Sequence, residues 1–291
     1  MNSFLAHETA PNLETIRAAA ELLQDPNPKI QKICEERLLA WGKASLASLE
    51  ALAECSDPEA RARIQRVLRL VNMQVWRREF QAFTEQGAVD LEEGLLLLAR
   101  LARPLLRVEK ITSTLDAWGR QLAPMLERAG TKKTATTLSE FFFWELGFKG
   151  DSRSYYTPDN CFLDQVIQRR RGIPISISAI YLLVGRRAGL PLEGVGLPGH
   201  FILRLRGARS VLLDPFHGGR ILTRKDCIER LQAMGYGFQE RYFDSVSDFQ
   251  MLSRVLGNLL HAHRYCDDQD LCESLRFAHQ SLLSMQQDRA R

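Results

Sequence analysis

Two residues fourteen positions apart carry the clearest chemical signal in the chain, His200 and Asp214. Phe201, Leu203 and Leu205 alternate with Ile202, Arg204 and Arg206, so His200 opens a half-buried strand, and Val211–Leu213 leads into Asp214 at the end of a returning one. Across an antiparallel pair, opposed residue numbers share a constant sum. His200 faces Asp214 when that sum is even, through an odd-length loop centred on Gly207 or through one bulge. The carboxylate would then fix the imidazole tautomer, as in a hydrolytic triad. The third member of such a set is usually a cysteine at a helix N-terminus, where the dipole and the imidazolium favour the thiolate. The helix entered through Arg171-Gly172-Ile173 offers Pro174, Ile175 and Ser176 in its first turn, and no cysteine.

Other groups could take the vacant role. Cys161 stands where a further helix is expected, over Cys161–Arg170, capped by Asp159 or Asn160, and Ser176 and Ser178 lie near the start of the Pro174 helix. Each also has a structural use, Cys161 as a small partly buried residue and Ser176 as a hydroxyl bonding local backbone. His261, His263, Cys266 and Cys272 invite a metal reading, but His261 and His263 point about 200° apart on a helix and the spacing matches no common zinc pattern, so no metal site is expected. Arg169–Arg171, with Arg186 and Arg187, reads as a solvated, ion-paired face rather than a nucleic-acid site. No phosphate-loop or dinucleotide glycine pattern occurs, and no cofactor is expected.

The elements that position these residues are mostly helical. Stripes of apolar residues mark helices over Asn12–Leu23, from Pro28 to just before Gly42, over Ser45–Ala53 and over Pro58–Val71. Asp-Pro breaks at about 30-residue spacing give these pairs a HEAT-like look. Leu91–Leu106, Ile111–Arg128 and Lys132–Leu146 continue as helices, the last with Phe141, Phe142, Phe143 and Trp144 expected in the core. Pro174, suited to a helix N1 position, opens an apolar helix to Arg187 that Gly189 and Pro191 end. The strand-like runs Leu192–Leu197, His200–Leu205 and Ser210–Asp214 follow, then helices over Thr223–Met234, Asp248–Tyr265 and Asp268–Gln286.

The run Tyr155-Tyr156, Pro158-Asp159-Asn160-Cys161-Phe162-Leu163, Arg170-Arg171-Gly172-Ile173-Pro174-Ile175-Ser176-Ile177-Ser178, Gly194-Val195, Pro198-Gly199-His200-Phe201, Asp214-Pro215-Phe216 and Gly218-Gly219 resembles the SirB-type transglutaminase-like family. The resemblance covers about residues 141–227. It implies a papain-like core, a helix packed on an antiparallel sheet, with a TPR-like helical tail and a HEAT-like N-terminal extension. It places His200 and Asp214 at the catalytic His and Asp positions and Pro174 at the catalytic Cys position. Fold membership by itself supplies no activity.

The chain has 291 residues, 39 Lys and Arg, 35 Asp and Glu, and a net charge of +4. Apolar residues make up 45% and charged residues 25%, which is globular usage and leaves no mandate for nucleic acid or an anionic membrane. No run approaches the roughly 18 apolar residues of a membrane span, and Met1–Glu14 lacks the pattern of a signal peptide. Six scattered cysteines read as reduced thiols in a cytoplasmic protein. The expected architecture is therefore α+β and predominantly helical: a HEAT-like region over 1–90, a transglutaminase-like core with its preceding helices over 91–240, and a TPR-like tail over 241–291. The expected function is a non-catalytic module that binds a protein or peptide partner through a cleft at Asn160, Pro198, Gly199 and Phe201 beside His200 and Asp214. The alternative is a hydrolase or acyltransferase with His200 as base, Asp214 as orienter and Cys161 or Ser176 as nucleophile. No oligomeric state is set by the sequence.

Overall fold

Asn12, Asn27 and Asp57, short polar residues, set three of the helix starts near the N-terminal end. A computed structural model describes residues 11–126, 130–265 and 269–289. The chain divides into two units. One runs through Ala82 and takes in Arg100–Leu106; the other comprises Phe83–Ala99 and the chain from Arg107 onward. Met1–Ala10, Arg128, Cys266 and Asp268, on which parts of the sequence reading fell, lie outside the described residues.

In the first unit, α1 (Leu13–Glu21) is capped by Asn12, whose side chain accepts the Thr15 N–H at 2.8 Å. Asn27 does the same for α2 (Pro28–Trp41), with Pro28 at its first position. α3 (Lys43–Cys55) follows Gly42, and Asp57 caps α4 (Pro58–Glu85) by accepting the N–H groups of Glu59 and Ala60. α4 runs fourteen residues past the expected end at Val71, because no glycine or proline interrupts the chain from Asn72 to Glu85. Ile16, Leu38, Leu49, Ile64 and Val71 form the centre of this unit's core.

The remaining elements are α5 (Leu91–Ala102), α6 (Val108–Leu122), α7 (Thr131–Glu140), β1 (Lys149–Gly150), α8 (Leu163–Arg169), β2 (Arg171–Gly172), α9 (Pro174–Arg187), β3 (Leu192–Val195), β4 (Ile202–Leu205), β5 (Val211–Asp214), β6 (Arg220–Leu222), α10 (Arg224–Ala233), β7 (Ser245–Val246), α11 (Asp248–Ala262) and α12 (Gln269–Arg289). α5 stops at Ala102 rather than Leu106 because Pro104 disfavours helical backbone at Arg103. β3 to β7 form one antiparallel sheet in the order β6-β5-β4-β3-β7, while β1 and β2 make a separate parallel pair. α9 is buried from Pro174 to Gly185 and lies against β3 and β4, which explains why it is apolar on all sides. The fold is α+β and predominantly helical. No described helix is long and apolar enough to cross a membrane.

Two local expectations need correction. Phe141 and Phe142 are buried, but Trp144 is 76% exposed, because the helix passes into a π-turn over Phe141–Glu145 that rotates it outward. The helix expected from Cys161 begins only at Leu163, with Phe162 at its N-cap. Pro158–Asn160 forms a separate 3₁₀ turn, and the Asn160 side chain is spent on Asp151 and on the Ser154 carbonyl.

On α9, Tyr181 stacks on Phe142 with ring centroids 3.7 Å apart and planes 18° from parallel. Its hydroxyl is buried with no hydrogen-bond partner, and burial, followed by the nearby Asp214 charge, raises its pKa. Tyr181→Phe keeps the stack and removes a group whose burial costs free energy, so it is expected to raise stability by about 1 kcal/mol. A thermal melt should show Tm up by roughly 2–4 °C; a fall would mean that the hydroxyl is bonded in solution.

Candidate functional site

The register of the β4–β5 hairpin decides how His200 meets Asp214. Leu203 pairs with Leu213 and Leu205 with Val211, leaving a five-residue loop over 206–210 centred on Ala208. The constant sum is even, as the facing pair requires, but larger by two than direct opposition of His200 and Asp214 demands. Asp214 therefore stands opposite Ile202, and His200, two residues earlier on the same face, reaches it diagonally. The contact is close: His200 Nε2 lies 2.8 Å from Asp214 Oδ2, with both side chains 2% exposed.

Each partner is held by its own turn. His200 follows the Pro198-Gly199 turn, where Gly199 has φ +70°, and its N–H donates to the Leu197 carbonyl. Arg254 of α11 then ties this turn down, its Nη2 donating to the carbonyls of Leu197 at 2.8 Å and His200 at 2.7 Å, with the guanidinium over the Phe201 ring. Asp214 ends β5 and caps the 3₁₀ turn Pro215–His217, where its Oδ1 accepts the His217 N–H. The same carboxylate takes a second imidazole, since His217 Nδ1 lies 2.7 Å from Oδ2. Arg230 Nη1 stands 3.9 Å from that oxygen. Burial pushes the Asp214 carboxyl up, but the hydrogen bonds and positive charge offered by His200 and His217 outweigh it and hold its pKa below the usual value.

A cavity of about 240 Å³ opens beside the pair, lined by Leu197, His200, Asp214, His217 and Arg220 on one side and by residues of α10, including Cys227 and Arg230, on the other. The cleft expected at Asn160, Pro198, Gly199 and Phe201 is displaced from this cavity: none of the four lines it, and Leu197 is the member of that turn that does. Phe201 is buried under Arg254, and Asn160 is wholly buried in a network with Asp151, Ser154 and Arg169.

The candidate nucleophiles are committed elsewhere. Ser176 Oγ donates to the Asn160 carbonyl at 2.6 Å and accepts the Ile173 N–H at 3.0 Å, closing the first turn of α9. Cys161 is 3% exposed, and burial pushes its thiol up to about 12. Ser178 is buried two residues beyond Ser176, its hydroxyl unpartnered. Pro174 occupies the first position of α9, buried, as its ring geometry favours. Cys227, which the sequence reading passed over, lines the cavity, but burial and then Asp226 and Asp214 push its thiol up to about 11.

The metal pattern weighed in the sequence does not assemble among its described members. Cys272 Sγ donates to the His263 carbonyl and His261 packs its ring against Tyr156, while Cys266 lies outside the described residues. Among the described residues, the group of three potential metal ligands that does converge is His200, Asp214 and His217. The arginine face is ion-paired: Arg169 to Asp151, Arg186 to Asp248, and Arg187 to Glu92 and Asp116. Arg170 lies over the rings of Trp118 and Phe148.

His217 had a readable signal, since an aspartate followed three residues later by histidine before two glycines can cap its own turn. Arg254 had none, because a single arginine on a distant amphipathic helix gives no clue to its carbonyl partners.

A UPF0162 protein of Xylella fastidiosa is 34% identical over 153 residues, 52% of this chain and 54% of that protein. Another from Pseudomonas aeruginosa is 34% identical over 177 residues, 60% of this chain and 64% of its own length. F-box only protein 21 of Mus musculus is 40% identical over 125 residues, 40% of this chain and 20% of that protein. The chain thus spans about half the length of the Xylella relative. No solved structure matches it. Residues 109–257, just over half of the chain and the whole setting of His200, Asp214 and α9, match the transglutaminase-like superfamily, and the chain belongs to that superfamily.

Proposed function

We propose that the chain is a non-catalytic member of this superfamily, of SirB type, that binds a peptide segment in the cavity beside His200 and Asp214. Its flanking helices, HEAT-like up to about residue 90 and TPR-like after residue 240, would hold a protein partner in the cytoplasm. The observation that carries this reading is the proline at the head of α9, which offers neither sulfur nor hydroxyl at the position where the resemblance expects the nucleophile. The substitutes support it: Ser176 spends its hydroxyl on the helix start, and Cys161 is held as a buried neutral thiol. His200 with Asp214 then works as a structural pair that shapes one wall of the cavity. A stretch 40% identical to 125 residues of this chain makes up one fifth of a longer mouse protein named for an F-box, in keeping with a module that larger chains carry.

Electrophile labelling tests this directly. The folded protein is treated with iodoacetamide and with a fluorophosphonate, beside His200→Ala, and adducts are located by mass spectrometry. A thiol pKa near 12 leaves Cys161 so little thiolate at neutral pH that its alkylation should be roughly a thousandfold or more slower than that of a free cysteine. Ser176 should not react, and His200→Ala should change neither rate. Rapid modification of Cys161 or Ser176 that disappears with His200→Ala would instead establish the hydrolase or acyltransferase reading.

A further inference from the structure

Pairing His200 with Asp214 needs one carboxylate oxygen and no second imidazole. His217 nevertheless brings its Nδ1 to the same Oδ2, although its side chain is 46% exposed. The two ring nitrogens and the oxygen lie within 4.8 Å of one another on the wall of the 240 Å³ cavity. Two imidazoles and one carboxylate are the donor set that borderline divalent ions take in sites that keep open positions. With metal–ligand bonds of about 2.1 Å, tetrahedral angles place neighbouring ligand atoms about 3.4 Å apart, so each N···O separation has to open by roughly 0.6 Å.

We propose that His200, Asp214 and His217 bind a divalent transition-metal ion of the zinc class, with its remaining positions open to the cavity. Each ring would coordinate through the nitrogen that now faces the carboxylate, its proton residing on the other, His200 Nδ1 and His217 Nε2. Asp226 and Glu229 on the same cavity add negative charge, while Arg220 and Arg230 oppose the cation. Arg230 is the nearer competitor, at 3.9 Å from Oδ2, and its side chain is 39% exposed and free to withdraw. The site shares its cavity with the proposed peptide but does not depend on that reading, or on the absence of a nucleophile.

The test uses the whole chain, stripped with a chelator and titrated with Zn²⁺ by calorimetry and with Co²⁺ by visible d–d absorption. One equivalent of each should bind. His217→Ala, at a half-exposed position and checked for an unchanged fold by circular dichroism, should weaken binding by roughly 10–100-fold. Arg230→Ala should tighten it by removing the competing charge, and Cys227→Ser should leave it unchanged. Failure to take up either ion saturably, or uptake indifferent to His217→Ala, overturns the proposal, as does loss of binding in Cys227→Ser. None of these outcomes bears on the labelling experiment, so the two readings fail separately.

Discussion

Asp214→Ala is expected to destabilise the protein by about 3–5 kcal/mol, the range for removing one member of a buried charge-assisted pair. The carboxylate accepts from His200 Nε2, His217 Nδ1 and the His217 N–H. Its removal strands a fully buried imidazole and uncaps the turn that carries His217. His217→Ala leaves the buried partner satisfied and should cost less than about 1.5 kcal/mol, the net worth of one hydrogen bond. Urea unfolding of the two variants separates these magnitudes; near-equal losses would mean that His200 finds another acceptor.

The same group sets part of the acid limb of stability. Because its folded pKa lies below the unfolded one, Asp214 contributes stability that is present above the ordinary carboxylate value of about 4 and is lost as pH falls through the lower folded value. Wild-type stability should therefore decline below about pH 4 more steeply than that of Asp214→Asn. Parallel pH profiles would show that the two imidazoles do not favour the carboxylate.

Gly219→Ala is expected to cost about 3 kcal/mol, a sum of backbone strain and overpacking. At φ +73° a side chain is strained in any surroundings, and a Cβ here would lie 2.4 Å from Ser139 Oγ, 2.5 Å from its Cβ and 3.0 Å from its Cα. The last of these belongs to the α7 backbone and cannot be rotated away. Ser139 also donates to the Gly219 carbonyl at 2.7 Å, and the Gly219 N–H donates to the Asp214 carbonyl, so the clash propagates to the site. Gly235→Ala is the matched control: φ is +80° and nothing lies within 4 Å of its added Cβ. It should carry the strain alone, about 1 kcal/mol. Equal losses for the two, by thermal or denaturant unfolding, would show that α7 yields to the added methyl.

Reading the sequence succeeded where one local rule governs. α9 begins at Pro174 and ends at Arg187, because a proline at N1 and a Gly-x-Pro exit fix both ends without help from the rest of the chain. The sequence left the hairpin parity as a condition, and the observed pairing is the even one, centred on Ala208 rather than Gly207. Reading failed where strands are two or three residues long. β1, β2, β6 and β7 are too short to show alternation, and they exist because neighbouring segments supply their hydrogen bonds. The cleft was misplaced for a similar reason: Asn160 is polar and stands near Cys161, yet Asp151 and Arg169 consume it.

What the sequence alone determined is the α+β class, the superfamily setting, the apolar helix headed by Pro174, and the meeting of His200 with Asp214. Each rests on periodicity, on the dihedral limits of proline and glycine, or on long ordered motifs, all of which act within a few residues of the chain. Only the tertiary structure decided that the pair meets diagonally, that Arg254 clamps the turn before it, and that α10 closes the cavity. Those are contacts between segments up to 57 residues apart, and their geometry depends on how whole elements pack, which no local pattern encodes.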